Sequence, residues 1–170
     1  MSTVVLPKNY IQPIKQLLNF VPVERKCEPF DISKFYKVVL LLNGNDTSRL
    51  INLQMFIDSE NRKEIERFIK SKNQESAIRK RLKMALNSIL TRKRDNDFYE
   101  IEYKTENARI GVFKFHKQQN TRLICREYSK IGRTIIMMIE TLKKKGQRNT
   151  DDAKYNNGLI AASKINYYNY

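Results

Sequence analysis

The sequence has 170 residues, enough for one domain with an appendage, and its 41% hydrophobic content can supply a core. Its 33 lysines and arginines exceed its 18 acidic residues, and the resulting formal net charge of +15 points to a nucleic acid or another acidic partner. One histidine and two distant cysteines, Cys27 and Cys125, argue against a zinc site and predict two reduced, buried thiols.

The first 34 residues form a predicted arm, and residues 35–170 form the predicted domain. All four prolines lie in the arm, where they favour extended or irregular backbone over helix. The N-terminal sequence lacks the basic and apolar regions of a signal peptide, and no apolar run is long enough to span a bilayer. We therefore expect a cytoplasmic protein without a membrane partner.

The first half of the domain predicts one strand followed by helices. Residues 38–42, VVLLL, are apolar and end in the turn sequence NGND, which is typical of a buried strand. The apolar residues between Ile51 and Ile57 favour a short helical stretch. Two further helices are predicted over 62–70 and 75–90, separated by the sequence SKNQ.

The second half predicts a four-stranded meander followed by a helix. Its strands are predicted at 97–104, 108–117, 121–130 and 133–142, joined by links of hairpin length. The last of these is apolar on both faces, as a central strand would be. With a weak helical stretch at 151–168, the predicted fold is α+β. An N-terminal strand and two helices pack on a four-to-five-stranded, mostly antiparallel sheet, with a C-terminal helix.

A basic stripe on the predicted second helix is the first candidate contact with a nucleic-acid backbone. Its members are Arg79, Lys80, Arg81 and Lys83, with Arg92, Lys93 and Arg94 just beyond. A solvated helix face is the alternative interpretation, but like charges this dense repel one another, which favours a bound polyanion. The stripe does not distinguish RNA from DNA.

The end of the central strand carries a second basic cluster. The apolar run TIIMMIETL leads into KKKGQRN, which places Lys143, Lys144, Lys145 and Arg148 beside a polar turn. Any polar turn would end a strand in solution. Concentrated positive charge at this point favours binding of an acidic molecule, and a solvated strand end is the alternative interpretation.

The order of these elements and two motifs resemble a known family. TRLICREY at 121–128 lies in the meander, and KKKGQR at 143–148 leads into a weak helix that carries tyrosines. In these respects the chain resembles the RelE/HigB superfamily of bacterial toxins, and within it the HigB-like, phage-associated branch. The likeness covers residues 35–170; the arm is extra, and Asp151 stands where related sequences often have proline.

The resemblance implies a ribosome-dependent endoribonuclease toxin of a type II toxin–antitoxin pair. Such toxins cut mRNA by attack of the ribose 2′-hydroxyl on the adjacent phosphate, which leaves a 2′,3′-cyclic phosphate and needs no metal or cofactor. The implied partners are mRNA, ribosomal RNA, the ribosome and a cognate antitoxin protein. Positioned cations suit this reaction because negative charge builds on the phosphate oxygens.

The resemblance also implies which residues carry the chemistry. Arg122 matches the arginine that contacts the scissile phosphate. Lys114 and His116 lie on the strand whose residues act as general base or phosphate ligands, and His116 alone titrates near neutrality. Lys144 and Lys145 would hold the transition-state phosphate.

The family's C-terminal tyrosine stacks on a base or donates a proton, and several residues compete for that role. Tyr167 and Tyr168 lie nearest the predicted helix end, and Tyr168 is the catalytic candidate. Tyr155 and Tyr170 remain open, and packing is the alternative role for all four.

Four more cations are candidate contacts to the flanking RNA: Lys117, Arg126, Lys143 and Arg148. Arg126 shares a strand face with Arg122, so both could line one groove, unless Arg126 pairs instead with Glu100 or Glu102. The alternative function is a non-catalytic basic protein that binds nucleic acid or serves as a structural protein of a phage or virus. Cations that converge on one hollow would favour the nuclease, and dispersed cations would leave only a basic binder.

Overall fold

The computed structural model describes residues 22–31, 53–91, 95–130, 133–144, 152–168 and 170 of the chain. The strand predicted at 38–42 lies outside these residues. In chain order, the helices and strands are β1 (Val23–Arg25), β2 (Cys27–Pro29), β3 (Leu53–Asp58), α1 (Arg62–Ile69), α2 (Glu75–Thr91), β4 (Tyr99–Lys104), β5 (Arg109–Phe115), β6 (Thr121–Lys130), β7 (Arg133–Lys143), α3 (Ala153–Ser163) and β8 (Ile165–Tyr167).

A six-stranded, mostly antiparallel sheet organises the fold, in the strand order β2-β3-β7-β6-β5-β4. The strands β4 to β7 form the predicted meander, since each pairs antiparallel with the next. β3 pairs in parallel with β7, and β2 adds antiparallel to β3. β1 and β8 form a separate parallel pair. The α+β class is confirmed.

Helices cover both faces of this sheet. α1 and α2 pack on one face, where Ile65 and Ile78 are fully buried with residues of β3, β6 and β7. α3 packs on the other face, where Tyr155 and Leu159 are buried with residues of β5, β6 and β7. The central strands therefore bury both faces, which explains the unbroken apolar run of β7. Each fully buried aliphatic side chain contributes about 1.5–3 kcal/mol.

The close packing of β4 on β5 depends on a glycine. Tyr99 is fully buried, and its hydroxyl crosses β5 to donate to Glu127 Oε2 on β6 at 2.9 Å. A Cβ atom on Gly111 would lie 2.0 Å from that hydroxyl oxygen. Gly111 therefore leaves the space through which the Tyr99 side chain reaches β6.

The helical stretch predicted between Ile51 and Ile57 is wrong, because residues from Leu53 form strand β3. Alternate side chains, including Met55, are buried under α1 and α2, whereas Phe56 packs on the opposite face. The apolar positions that fit a helix therefore also fit a strand that is buried on both faces. Its parallel pairing with β7 joins residues far apart in the sequence, which local spacing does not reveal.

The ends of the chain contribute strands that the sequence did not predict. Within the predicted arm, β2 joins the main sheet and β1 pairs with β8. The C-terminal helix is confirmed but shorter than 151–168, since α3 ends at Ser163 and β8 follows. Asp152 is the N-cap of α3, and its side chain accepts a hydrogen bond from the Tyr155 backbone N–H at 3.0 Å. Cys27 and Cys125 are both buried thiols, as predicted.

The helices of the described segments are all too short or too polar to cross a bilayer.

Candidate nucleic-acid interface

The candidate site lies at one end of the sheet, where the β5–β6 turn meets the end of β7. We call this end the tip. Lys144 and Asn120 join its two parts: the Lys144 backbone N–H donates to the Asn120 carbonyl at 3.1 Å, and Asn120 Nδ2 donates to the Lys144 carbonyl at 2.8 Å. Gln119 and Asn120 adopt left-handed conformations, with φ of 55° and 53°. Such backbone is costly for residues other than glycine, so the hydrogen bonds fix an otherwise unfavoured turn.

Arg122 and Lys114 face each other across β5 and β6 and point to the α3 side of the sheet. Arg122 is only 4% exposed. Its Nη1 donates to the Thr121 carbonyl at 3.2 Å, and its Nη2 lies 3.3 Å from Nδ1 of His116, which is exposed above it. Burial lowers the pKa of Arg122, against the opposing effect of Tyr155 and Glu102, but a guanidinium keeps its charge at neutral pH.

Two carboxylates share this side of the tip with the cations. Lys114 Nζ contacts Glu100, and it lies 3.6 Å from Glu102 Oε1. The Tyr155 hydroxyl donates to Glu102 Oε2 at 2.8 Å, and Lys144 Nζ lies 5.3 Å from the centroid of the Tyr155 ring. The set Lys114, Arg122, His116, Lys144, Glu100, Glu102 and Tyr155 is the tip cluster.

The protonation states of two members follow from their surroundings. Burial lowers the pKa of His116 below its ordinary 6.5, and the charges of Arg122 and Arg81 lower it further, so the imidazole is neutral at pH 7. Burial raises the pKa of Tyr155, and the charge and hydrogen bond of Glu102 raise it further. Tyr155 is therefore a neutral phenol that donates to a carboxylate.

The charges of the tip cluster largely cancel, and we call the side that carries exposed His116 and half-buried Lys144 its mouth. Three cations stand against two carboxylates, and Glu102 and Lys114 are mostly buried as an ion pair. Lys114 Nζ is engaged by Glu100 and Glu102, and its predicted catalytic role stays a prediction. His116 and Lys144 at the mouth stay the predicted contacts to a phosphate.

The structure brings four of the predicted catalytic residues together, namely Arg122, Lys114, His116 and Lys144. Tyr168 is not among them. It is 57% exposed and follows β8, and Tyr170, two residues later, packs on Tyr128. Tyr128 lies six residues along β6 from Arg122, about 20 Å at the rise of a strand. The tyrosine at the tip is Tyr155, one of the alternatives that the sequence left open.

Lys143 lies on the opposite side of the sheet from Lys144. It pairs with Thr121, and both line a groove on the side of α1 and α2. The predicted cluster at the end of β7 is therefore divided between the two faces. Five of the predicted cations lie outside the described residues: Arg92, Lys93, Arg94, Lys145 and Arg148.

Arg126 is nearly buried and binds backbone carbonyls, and its predicted contact with RNA stays a prediction. It is 6% exposed, and it donates to the carbonyls of Asn107 at 2.8 Å, Ser163 at 3.4 Å and Ile165. These bonds fasten the α3–β8 corner to the β4–β5 turn. Neither Glu100 nor Glu102, the partners considered from the sequence, is among these acceptors.

Arg81 likewise binds the protein itself. It donates to the carbonyls of Lys114 at 2.8 Å and Asp97 at 2.7 Å, and its guanidinium lies 4.7 Å from the Phe98 ring centroid. Burial lowers its pKa, against the charges of Asp97 and Asp95. Arg81 therefore ties α2 to the tip instead of projecting to a polyanion.

The remaining cations of the α2 stripe lie at the surface. Lys80 is exposed and Lys83 is half-buried, whereas Arg79 pairs with Glu75 one turn earlier. Lys117, in the β5–β6 turn, is exposed beside the tip cluster. These side chains can contact a phosphate backbone without rearrangement of the core.

The sequence did not assign Glu100 and Glu102 to the site, and it left Tyr155 as one of several open candidates. The alternation of β4 did place both glutamates on one face, and two carboxylates beside a lysine-bearing strand are a signal for an ion-pair cluster. Among the described residues, no group of His, Cys, Asp or Glu could hold a metal ion.

Comparisons with protein families, with curated proteins and with solved structures give no match to this chain. The interpretation of the site therefore rests on its own geometry.

Proposed function

We propose that this protein is an endoribonuclease toxin of the RelE/HigB kind. It acts in the cytoplasm on mRNA held by the ribosome, needs no metal, and is controlled by an antitoxin protein. One observation carries the proposal. The tip cluster brings together four predicted catalytic residues from the ends of three different strands: Arg122, Lys114, His116 and Lys144. The order of strand, two helices, meander and C-terminal helix supports it as well.

The proposed reaction takes place at the mouth of the tip cluster. A phosphodiester lies between His116 and Lys144, and neutral His116 accepts the proton of the 2′-hydroxyl as its oxygen bonds to phosphorus. The charge of Arg122 beneath His116 stabilises the negative phosphate oxygens. The bond from phosphorus to the 5′-oxygen breaks, and the Lys144 ammonium gives that oxygen a proton.

A second function is favoured by a different observation. Glu100 and Glu102 offset the charge of Lys114, and Arg122 is 4% exposed, so the interior of the tip cluster offers little charge to a ligand. A non-catalytic protein would bind RNA through exposed cations such as Lys80 and Lys117.

Induced expression in bacteria separates the two functions. We expect the wild type to arrest growth and to produce translation-dependent breaks in cellular mRNA, mapped by primer extension. His116→Ala should reduce cleavage by about 10²-fold or more, the usual contribution of a general base. Lys63→Ala, an exposed cation on α1, is the matched control and should cut like the wild type. Normal growth with intact messages under wild-type expression would leave only the non-catalytic binder.

A further inference from the structure

Asn120 lies between the two residues that the proposed reaction uses as base and acid. Its backbone N–H donates to the His116 carbonyl at 3.2 Å, and its carbonyl accepts from the Lys144 N–H at 3.1 Å. The β5–β6 turn and the end of β7 therefore meet at this one residue.

The Asn120 side chain contacts the same two neighbours. Its Nδ2 donates to the Lys144 carbonyl at 2.8 Å. A side-chain hydrogen bond also joins Asn120 to His116, and this bond raises the pKa of the imidazole. A bond that favours the protonated ring is one in which the ring donates, so the amide oxygen of Asn120 is the acceptor. An amide carries an acceptor and a donor side by side, which allows one side chain to hold both neighbours.

The backbone of Asn120 is left-handed, with a φ of 53°, and that of Gln119 is left-handed as well, with a φ of 55°. Asparagine adopts this conformation more readily than most residues other than glycine. Two such residues in succession are costly, and backbone of this kind is concentrated at functional sites, where surrounding bonds hold a required geometry. Here the surrounding bonds are those from Asn120 to His116 and to Lys144.

These contacts assign a role to a residue that the reaction itself does not use. We propose that Asn120 is a positioning residue, whose amide orients the His116 imidazole at the mouth and fixes the end of β7 that carries Lys144. The inference rests on the proposed function, which makes His116 the base and Lys144 the acid. A misplaced base or acid slows cleavage even when both groups are present, because in-line attack on phosphorus tolerates little displacement.

The surroundings of His116 give this link a measurable sign. Burial lowers the pKa of His116, and neighbouring positive charges lower it further. These charges belong to Arg122 on β6, Arg81 on α2 and Lys114 on β5. The bond to Asn120 acts in the opposite direction, so its removal in Asn120→Gly should lower the pKa of the imidazole. Asn120→Asp places a negative charge beside the ring and should raise that pKa.

NMR titration of His116, the only histidine of the chain, tests the link directly. Glycine accepts the left-handed backbone, so Asn120→Gly preserves the main-chain hydrogen bonds and removes only the side chain. Gln119→Gly makes the same change at the neighbouring left-handed residue, whose side chain is exposed, and is the matched control. We expect the His116 midpoint to fall in Asn120→Gly, to rise in Asn120→Asp and to keep the wild-type value in Gln119→Gly.

The pH profile of cleavage separates positioning from stability. Single-turnover rates are measured with the protein in excess over translating ribosomes on a defined mRNA. Asn120→Gly should cut about 10-fold more slowly than the wild type. Because the base must be unprotonated, the rise of the rate with pH should move to lower pH in Asn120→Gly and to higher pH in Asn120→Asp. Gln119→Gly should keep both the wild-type rate and the wild-type profile.

Equal His116 midpoints in Asn120→Gly and Gln119→Gly, or equal rates of cleavage in the two, would overturn the inference. So would a lower melting temperature of Asn120→Gly with an unchanged His116 midpoint, which would make Asn120 a structural residue of the turn. The proposed function fails separately. Intact mRNA with the wild type would remove the nuclease, and the NMR midpoints would still decide whether Asn120 holds His116.

Discussion

His116 shows how one residue takes its chemistry from its neighbours. It is exposed, yet the guanidinium of Arg122 lies 3.3 Å from its ring, and Arg81 and Lys114 add positive charge nearby. Burial and these charges together disfavour the imidazolium. A lone histidine in the sequence gives no hint of this, because the cations come from α2, β5 and β6. The sequence identified His116 as a candidate, but it did not indicate that the imidazole is neutral.

The titration of His116 is the first prediction at this scale. Its pKa should lie below 6.5, and it should rise toward 6.5 in Arg122→Gln, because a neighbouring positive charge is lost. The unfolded chain then binds the proton more readily than the folded one, so stability falls as pH decreases from 6.5 through the folded pKa. NMR titration of the single imidazole measures both proteins directly. A midpoint at or above 6.5 in the wild type would show that the tip cluster is not assembled as described.

At the scale of elements, the meander was predictable and the edges of the sheet were not. The strands β4 to β7 have alternating or fully apolar patterns and hairpin-length links, so pairing follows from neighbouring sequence. β3 depends on a parallel partner far along the chain, and β8 depends on β1. The site followed this rule only in part. Lys114, His116 and Arg122 lie together on neighbouring meander strands, whereas Lys143 and Arg126 lie elsewhere and Tyr155 needed the docking of α3.

The docking of α3 depends on Arg126, which yields a prediction for this element. Arg126→Leu should destabilise the protein by roughly 2–4 kcal/mol, because the carbonyls of Asn107 and of buried Ile165 lose their donor. Hydrogen exchange should quicken in α3 and β8 before it does in β6. Arg133→Leu removes the same charge at an exposed position and is the control. Equal exchange in the two variants would mean that Arg126 does not hold the corner.

At the scale of the whole molecule, a net charge of +15 opposes compaction and predicts a polyanionic partner. The fold divides that charge unevenly: some cations, such as Arg81 and Arg126, bind backbone carbonyls, and others remain at the surface. Composition predicts the kind of partner because charge acts at long range. It does not predict which cations are available, because this depends on carbonyls and carboxylates that the fold places nearby.

The most direct test of the central claim is the chemistry of the RNA ends. Purified protein is added to translating ribosomes on a defined mRNA, and the fragment ends are determined by enzymatic treatment and mass spectrometry. The proposed reaction predicts a 2′,3′-cyclic phosphate on the upstream fragment and a 5′-hydroxyl on the downstream one, both strongly reduced in Lys144→Ala. Intact mRNA, or fragments that carry a 3′-hydroxyl and a 5′-phosphate, would contradict it.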